Sequence, residues 1–398
     1  MRVGDTFSAV APMTRLLLLT TCASLLQATR PTSEPGARPT IDWDRSTLRL
    51  VAPGGDYARM ARLGDGAIGV AYDRDGKLSF RRSTDQGKTW SDPLLVAEDP
   101  DCWLTNSELL PLRNGELLYL WNERPRAALK YQDKPAPPGM LTRPFLVRMA
   151  RSGDGGRTWS APQTLYTAGP SYQDGCWEPA GIELPDGEIH VYFANEFPYQ
   201  TTAEQEISLI RSRDGGRTWS EAQRVSMRKG HRDGMPAPLL LAGGRGIVVA
   251  LEDNGLSKTD RFKIAIVHTT LDDDWHGGAV DGESPRRRPA MAKPLPDDHY
   301  AGAPNLRQLP TGQTLLSYQS SADGTLAGAR MVVRIGDADA RNFMDASQPF
   351  ADAGAEPGQL WCSLFVKNAD AVTALGTVTI NGRRGIWTID GRVRRPPP

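Results

Sequence analysis

Three octapeptides that share one pattern constrain this chain more than any other feature of it. They run from Ser83 to Trp90, from Ser152 to Trp159 and from Ser212 to Trp219, and each reads S-x-D-x-G-x-T-W. The pattern suits a hairpin turn. The carboxylates of Asp85, Asp154 and Asp214 can accept local backbone N–H groups, the glycines at 87, 156 and 216 can take φ > 0, and the Trp can pack back onto its own sheet. A turn repeated three times is scaffold, so these aspartates are read as structural and not as ligands. Degraded copies are expected around 272–275 and 336–343.

A second repeat has the form apolar strand, tight turn, apolar strand. Its turns end at Gly66, Gly115, Gly187, Gly246, Gly312 and Asp370, roughly 50 to 70 residues apart. Asn-Gly and Asp-Gly between alternating apolar runs are strong hairpin signals, and units too small to bury their own faces must stack on neighbours. Six such units predict an all-β fold, a six-bladed β-propeller of four-stranded antiparallel blades. The last blade needs closing. The hairpin formed by 376–380 and 384–389 around Asn381-Gly382 is expected to accept Thr47–Val51 as its outer strand.

Composition narrows the partners. Lys+Arg and Asp+Glu both number 47, so no net field draws nucleic acid or an anionic membrane, and a neutral or small ligand is favoured. The apolar run from Leu16 to Leu26 follows Arg15 and is too short to span a bilayer, which reads as a signal peptide over 1–29, with Met13 an alternative start. Leu19-Thr20-Thr21-Cys22 matches a lipobox only weakly, so a lipid anchor at Cys22 is the lesser alternative to a secreted or periplasmic protein. Residues 30–45, rich in proline, form a lead-in, and 46–394 the propeller, expected as a monomer with no membrane span. Beyond the signal there are three cysteines, and Cys102 and Cys176, both ahead of inner strands of adjacent blades, are expected to bridge. The five histidines are scattered with no zinc spacing, so neither metal nor cofactor is expected.

In a propeller the start of each innermost strand and the end of the second strand lie on one face. Counting seven and nine residues back from each turn therefore collects the residues around one mouth of the channel. The count reaches Tyr57 and Arg59, Asn106 and Glu108, Glu178, Ala303 and Asn305, and Cys362; in blade 4 the strand is preceded by His231-Arg232-Asp233-Gly234. At the second-strand ends stand Asp73, Asn122-Glu123-Arg124, Asn195-Glu196, Glu252-Asp253 and Gln319, with Trp103, Trp121, Trp177 and Trp361 near the ring. Paired carboxylates with flat aromatic platforms suit glycosidic bond cleavage, where one acid protonates the leaving oxygen and the other attacks or activates water.

The octapeptides resemble the Asp boxes (BNR repeats) of the sialidase-like superfamily. The segments between them resemble more narrowly its exo-arabinanase glycoside hydrolases. Four segments carry this: Asn106-Ser-Glu-Leu-Leu with Asn122-Glu-Arg-Pro; Cys176-Trp-Glu-Pro; Arg232-Asp-Gly-Met-Pro leading to Glu252; and Ala301-Gly-Ala-Pro with Gln319. The resemblance implies a secreted retaining exo-hydrolase whose catalytic pair is Glu178 and Glu252, about 5–5.5 Å apart as retention requires. It implies substrate contacts from Arg59, Asp73, Asn106, Trp177, Arg232, Asp233, Tyr300, Asn305 and Gln319. True sialidases are the alternative. They use three arginines and a late Tyr nucleophile, but the last Tyr here is Tyr318 and blade 5 offers Asn305 where a third arginine would stand. A non-catalytic carbohydrate-binding propeller is the remaining reading.

Overall fold

Wherever the sequence alternates apolar runs with Gly-containing turns, the chain forms antiparallel strands. The computed structural model describes residues 39–130, 142–353 and 357–395. The expected signal peptide and Cys22 lie outside the described residues. The strand β1 (Thr40–Pro53) is followed by five sheets in chain order. Blade 1 is β2 (Asp56–Arg62), β3 (Ile68–Arg74), β4 (Lys77–Ser83) and β5 (Leu94–Ala97); blade 2 is β6 (Cys102–Pro111), β7 (Leu117–Pro125), β8 (Leu146–Ser152) and β9 (Gln163–Thr167). Blade 3 is β10 (Cys176–Glu183), β11 (Ile189–Asn195), β12 (Glu206–Ser212) and β13 (Gln223–Ser226). Blade 4 is β14 (Asp233–Leu241), β15 (Gly246–Asp253), β16 (Lys263–Thr269) and β17 (Arg287–Pro289). Blade 5 is β18 (Tyr300–Gln308), β19 (Thr314–Ser321), β20 (Arg330–Gly336) and β21 (Met344–Ser347). Blade 6 is β22 (Leu360–Asn368), β23 (Ala371–Ile380) and β24 (Arg383–Arg394), completed by β1. The six-bladed propeller of four-stranded antiparallel blades is therefore the observed fold.

The hairpin turns are equivalent. Gly66, Gly115, Gly187 and Gly312 have φ between 83° and 99°, a region that favours glycine, and each donates its N–H to the Leu three residues earlier at 2.8–3.0 Å. The octapeptides join the third and fourth strands. In each, the Asp accepts the N–H and hydroxyl of the Thr four residues on, at 2.9 and 2.6 Å, which confirms a scaffold role. The degraded copies repeat the backbone part of it: Asp273 accepts the Gly277 N–H at 2.7 Å, and Asp337 the Arg341 N–H at 2.9 Å. The Trp side chains seal blade to blade, as where Trp159 meets Phe80 of blade 1 edge-on at 5.3 Å.

Two expectations need correction. The closing strand starts at Thr40, so residues 40–45, assigned by composition to the lead-in, pair with β24 from Thr40–Arg394 onward. Cys102 and Cys176 are buried free thiols. Cys102 packs in the core between blades 1 and 2, Cys176 in that between blades 2 and 3, so the sheet of blade 2 separates them and no bridge can form. No helix among the described residues is long and apolar enough to cross a membrane.

Closure rests on β1 burying Val51 completely against Ile68, Val70 and Ile386. A carboxylate there would have no partner, so Val51→Asp is expected to cost about 3 kcal/mol or more. Urea denaturation would measure it, and a loss below about 1 kcal/mol would show that the closing strand is dispensable.

Candidate active site

The mouth of the channel is built by one device used six times. Each innermost strand carries a bulge in which two residues face one on the second strand, and the first bulged residue has positive φ. These residues are Tyr57, Asn106, Glu178, Met235, Ala303 and Trp361, all non-glycine, with φ between 49° and 58°. Left-handed backbone costs an L-residue roughly 1–2 kcal/mol, so it persists only where surroundings enforce it. At four of the six bulges a side chain from the neighbouring blade accepts the N–H. Gln319 takes that of Trp361 at 2.8 Å and Glu252 that of Ala303 at 3.0 Å; Asp73 accepts from Asn106. Three acceptors, Asp73, Glu252 and Gln319, come from equivalent positions, the partners of the residue just before each bulge, which in the other blades hold Asn122, Ala194 and Thr377.

At blade 3 that position is Ala194, which has no side-chain acceptor. The free N–H of Met235 is taken instead by Glu178, at 2.9 Å. Thus Glu178 and Glu252 are anchored on consecutive bulges, each by a backbone donor. Both are half-buried at the edge of a cleft of about 360 Å3 lined also by Tyr172, Gln173, Trp177, Glu196, Gln205, Arg232 and Phe262.

Desolvation raises the proton affinity of both carboxyls well above the ordinary Glu range, and the neighbouring Glu252 charge raises Glu178 further. The backbone bonds and the Arg232 guanidinium pull both back down without cancelling the rise. At neutral pH the pair therefore shares a proton.

Around the pair the fit is tight. A Cβ on Gly302 would lie 2.3 Å from the Tyr300 hydroxyl and 2.4 Å from Glu252 Oε2, so only glycine lets these two groups meet. Gln319 Nε2 donates to the Tyr300 hydroxyl at 2.8 Å, which leaves the phenolic proton free to turn toward Glu252. Trp177 stacks on Tyr172 at 6.0 Å with 23° between planes and meets Phe145 edge-on at 4.9 Å, giving the cleft an aromatic wall. Its Nε1 donates to Glu196 Oε1 at 3.1 Å, and the same oxygen holds Arg232 in an ion pair.

The structure thus brings together Glu178, Glu252, Trp177, Arg232 and Tyr300, with Gln319 behind Tyr300. Others expected as substrate contacts are elsewhere or already engaged. Asp233 is fully buried, with both oxygens on Arg287 and a bond from Ser226 at 2.9 Å. Asn305 accepts the Leu364 N–H at 3.0 Å and lines the channel below the mouth. Arg59 also lines the channel, with Nε 3.3 Å from Glu108. Asp73 is buried on the Asn106 bulge, and Asn106 itself accepts from Thr105 at 3.2 Å. In blade 6 the ring residue is Trp361; Cys362 is buried behind it. Trp121 is fully buried, and Trp103 lies under Arg126 at 3.7 Å. Tyr172 was absent from the count because it stands in a loop that no strand period reaches.

Two clusters among the described residues have metal-like ligand sets, Asp99 with Cys102 and Glu123, and Glu188 with His190 and Asp274. Neither lines the cleft, and arginines already occupy them: Arg143 and Arg148 the first, Arg211 the second.

Residues 145–333 match the BNR repeat-like domain family. No curated protein matches the sequence. Among solved structures, the chain is similar to a protein of unknown function from Dyadobacter fermentans, at 16% identity and TM-score 0.65, covering 90% of this chain and 99% of that one. It is similar also to the GH93 α-L-arabinofuranosidase of Fusarium graminearum in complex with arabinobiose, at 17% identity and TM-score 0.61, covering 90% and 98%. A third is the Penicillium chrysogenum α-L-arabinanase complexed with arabinobiose, at 15% identity and TM-score 0.60, covering 91% and 98%.

Two outcomes follow from the geometry. A carboxyl whose proton affinity is raised by folding stabilises the fold fully below its unfolded pKa, and this contribution is lost as pH rises through the folded value. Glu178→Gln and Glu252→Gln keep the acceptor oxygen without the charge. Each should match the wild type in thermal stability near pH 4 and exceed it by about 1–2 kcal/mol near pH 8; equal curves at both pH values would show that burial does not perturb the pair. Gly302→Ala should displace Tyr300 or Glu252 and lower any turnover by about 10²-fold or more, with far-ultraviolet circular dichroism unchanged.

Proposed function

We propose that this chain, whose fold is the sialidase-like six-bladed propeller, is a retaining exo-acting glycoside hydrolase with Glu178 and Glu252 as its catalytic pair. The observation that carries the reading is the pair itself: two carboxyls of raised proton affinity, anchored on adjacent bulges and opening into one aromatic-walled cleft. A binding module gains nothing from holding two such acids together, since their mutual repulsion costs stability. The likeness to an arabinofuranosidase and an arabinanase, both with arabinobiose, makes terminal arabinofuranose the first sugar to test. The N-terminal apolar run makes secretion part of the same proposal.

The roles are divided by the Tyr300 hydroxyl, whose proton can turn toward Glu252 and so favours the carboxylate there. Glu178 carries the proton and donates it to the leaving glycosidic oxygen, while the Glu252 carboxylate attacks the anomeric carbon as the C–O bond breaks. The Ala303 N–H and the Tyr300 hydroxyl steady the attacking carboxylate. Water then enters, Glu178 takes its proton, and the hydroxide oxygen displaces Glu252 from the anomeric carbon, restoring both groups with retained configuration. Trp177 and Tyr172 offer flat faces to the sugar. Because both proton affinities are raised, the pH optimum should lie nearer neutrality than that of an ordinary carboxyl pair. The sialidase alternative fares worse, since Arg59 faces the channel and Arg232 is held by Glu196.

The test is turnover of aryl α-L-arabinofuranoside and linear arabino-oligosaccharides, with aryl sialoside beside them. Glu178→Ala and Glu252→Ala should each lower kcat by about 10³-fold or more on the substrate that is hydrolysed. Azide should rescue Glu252→Ala with an inverted glycosyl azide and Glu178→Ala with a retained one. Wild-type turnover in either variant would refute the pair, and no hydrolysis of any glycoside would leave the binding module as the function.

A further inference from the structure

Below the bulge ring the channel widens to a second cavity of about 560 Å3. Tyr57, Met235 and Ala303 close it toward the cleft, with Trp361 packed against them. At its other end the exposed Pro111, Ala242 and Pro310 mark an opening on the face of the hairpin turns. Its polar lining is unusual for a propeller core. Three arginines, Arg59, Arg62 and Arg307, line it with two carboxylates, Glu108 and Glu178; Arg62 is already engaged by the Gly66 carbonyl and the Gln86 amide oxygen, and Glu178 by the Met235 N–H.

The charges do not balance locally. Glu108 sits on Arg59, with Oε2 3.3 Å from Nε, and accepts the Leu109 N–H at 3.2 Å. Arg307 has no carboxylate within ion-pair distance among the described residues; its one bond there is from Nη1 to the Leu306 carbonyl at 2.9 Å. Arg59 is 5% exposed, lies 4.3 Å above the Tyr57 ring and donates Nη1 to the Ala58 carbonyl at 3.0 Å, yet its buried Nε has no hydrogen-bond partner. The Asn305 amide oxygen is engaged by Leu364, which leaves its Nδ2 as a third donor on the same wall.

A guanidinium offers five donors in a planar fork and stays charged in a protein interior. Unused donors from two such groups, bordering a cavity with one positive charge in excess, match the two or three acceptor oxygens of an oxyanion. We propose that the channel is a binding site for a small oxyanion, gripped by Arg59 and Arg307 with Asn305 beside them and entered from the hairpin face. Its source is either inorganic, such as phosphate, or the carboxylate of a sugar acid, for which the cavity also has room. The Tyr57–Met235–Ala303 plug stands between the two arginines and the cleft, and Glu178 borders both cavities.

The experiment is thermal unfolding and calorimetric titration of the whole protein with inorganic phosphate and with glucuronate, at constant ionic strength set by chloride. Binding to the folded state alone should raise Tm saturably, by about 2 °C or more at saturation. Phosphate alone acting would assign an inorganic anion, and glucuronate acting a sugar acid. Arg307→Gln should abolish the response and leave glycoside turnover within about twofold of wild type. No saturable response to either compound, or a full response in Arg307→Gln, would overturn the site. Should that variant fail to fold, selenate soaked into wild-type crystals decides: an anomalous peak at hydrogen-bond distance from Arg307 supports the proposal, and an empty channel refutes it.

Discussion

The structure depends on the bulge N–H that each innermost strand presents to the blade before it. A left-handed residue in a strand aims its N–H sideways, out of the ladder, and in a buried mouth that donor must find an acceptor. Side chains from the preceding blade supply it at four of these junctions, as in Gln319 to Trp361. One bond therefore does two things: it ties adjacent blades at the axis, and it fixes a carboxylate or amide at a set depth in the channel. The catalytic candidates are a local variation on this joint. Glu252 is the ordinary acceptor for its junction, while Glu178 is a bulge residue that fills in where Ala194 cannot reach.

This arrangement explains how two acids can be kept close without collapse of the site. Each gives one oxygen to a rigid backbone donor, so neither can swing away to relieve the repulsion. The repulsion appears instead as raised proton affinity, which is the property an acid catalyst needs near neutral pH. By contrast, Asp233 and Asp253 are one residue away from the ring, and there the same chemistry is neutralised: Arg287 lies between them, at 2.9 Å from one and 2.7 Å from the other. One face of blade 4 thus stores charge in a closed ion pair while its neighbour exposes it.

The repeats were fully legible in the sequence because both are turn chemistry, in which Gly, Asp and Thr are dictated by backbone geometry over a few residues. Spacing from the turn glycines also located Tyr57, Asn106, Glu178 and Ala303. What no residue type announces is a bulge with a non-glycine in the left-handed region. That extra residue breaks the period of two, so Arg59 and Asn305, counted onto the mouth, face the channel below it instead. In blade 6 nine residues back from Asp370 is Trp361, the residue that stands on the ring, and Cys362 is the buried residue after it. Asp233 was misplaced for another reason: its partner Arg287 lies 54 residues on, and no local pattern reports so distant an ion pair.

The closing strand has a consequence for how the molecule is made. β1 is the first strand to be synthesised and β24 the last, and the ion pair of Asp42 with Arg394 spans 352 positions. Until the final hairpin is complete, β1 has no sheet to join, and five blades stand as an open arc with raw ends. The ring cannot close until β24 has been made. Contacts of such sequence separation are slow to form, and an arc with unpaired edges is the species exposed to misassembly in the interval.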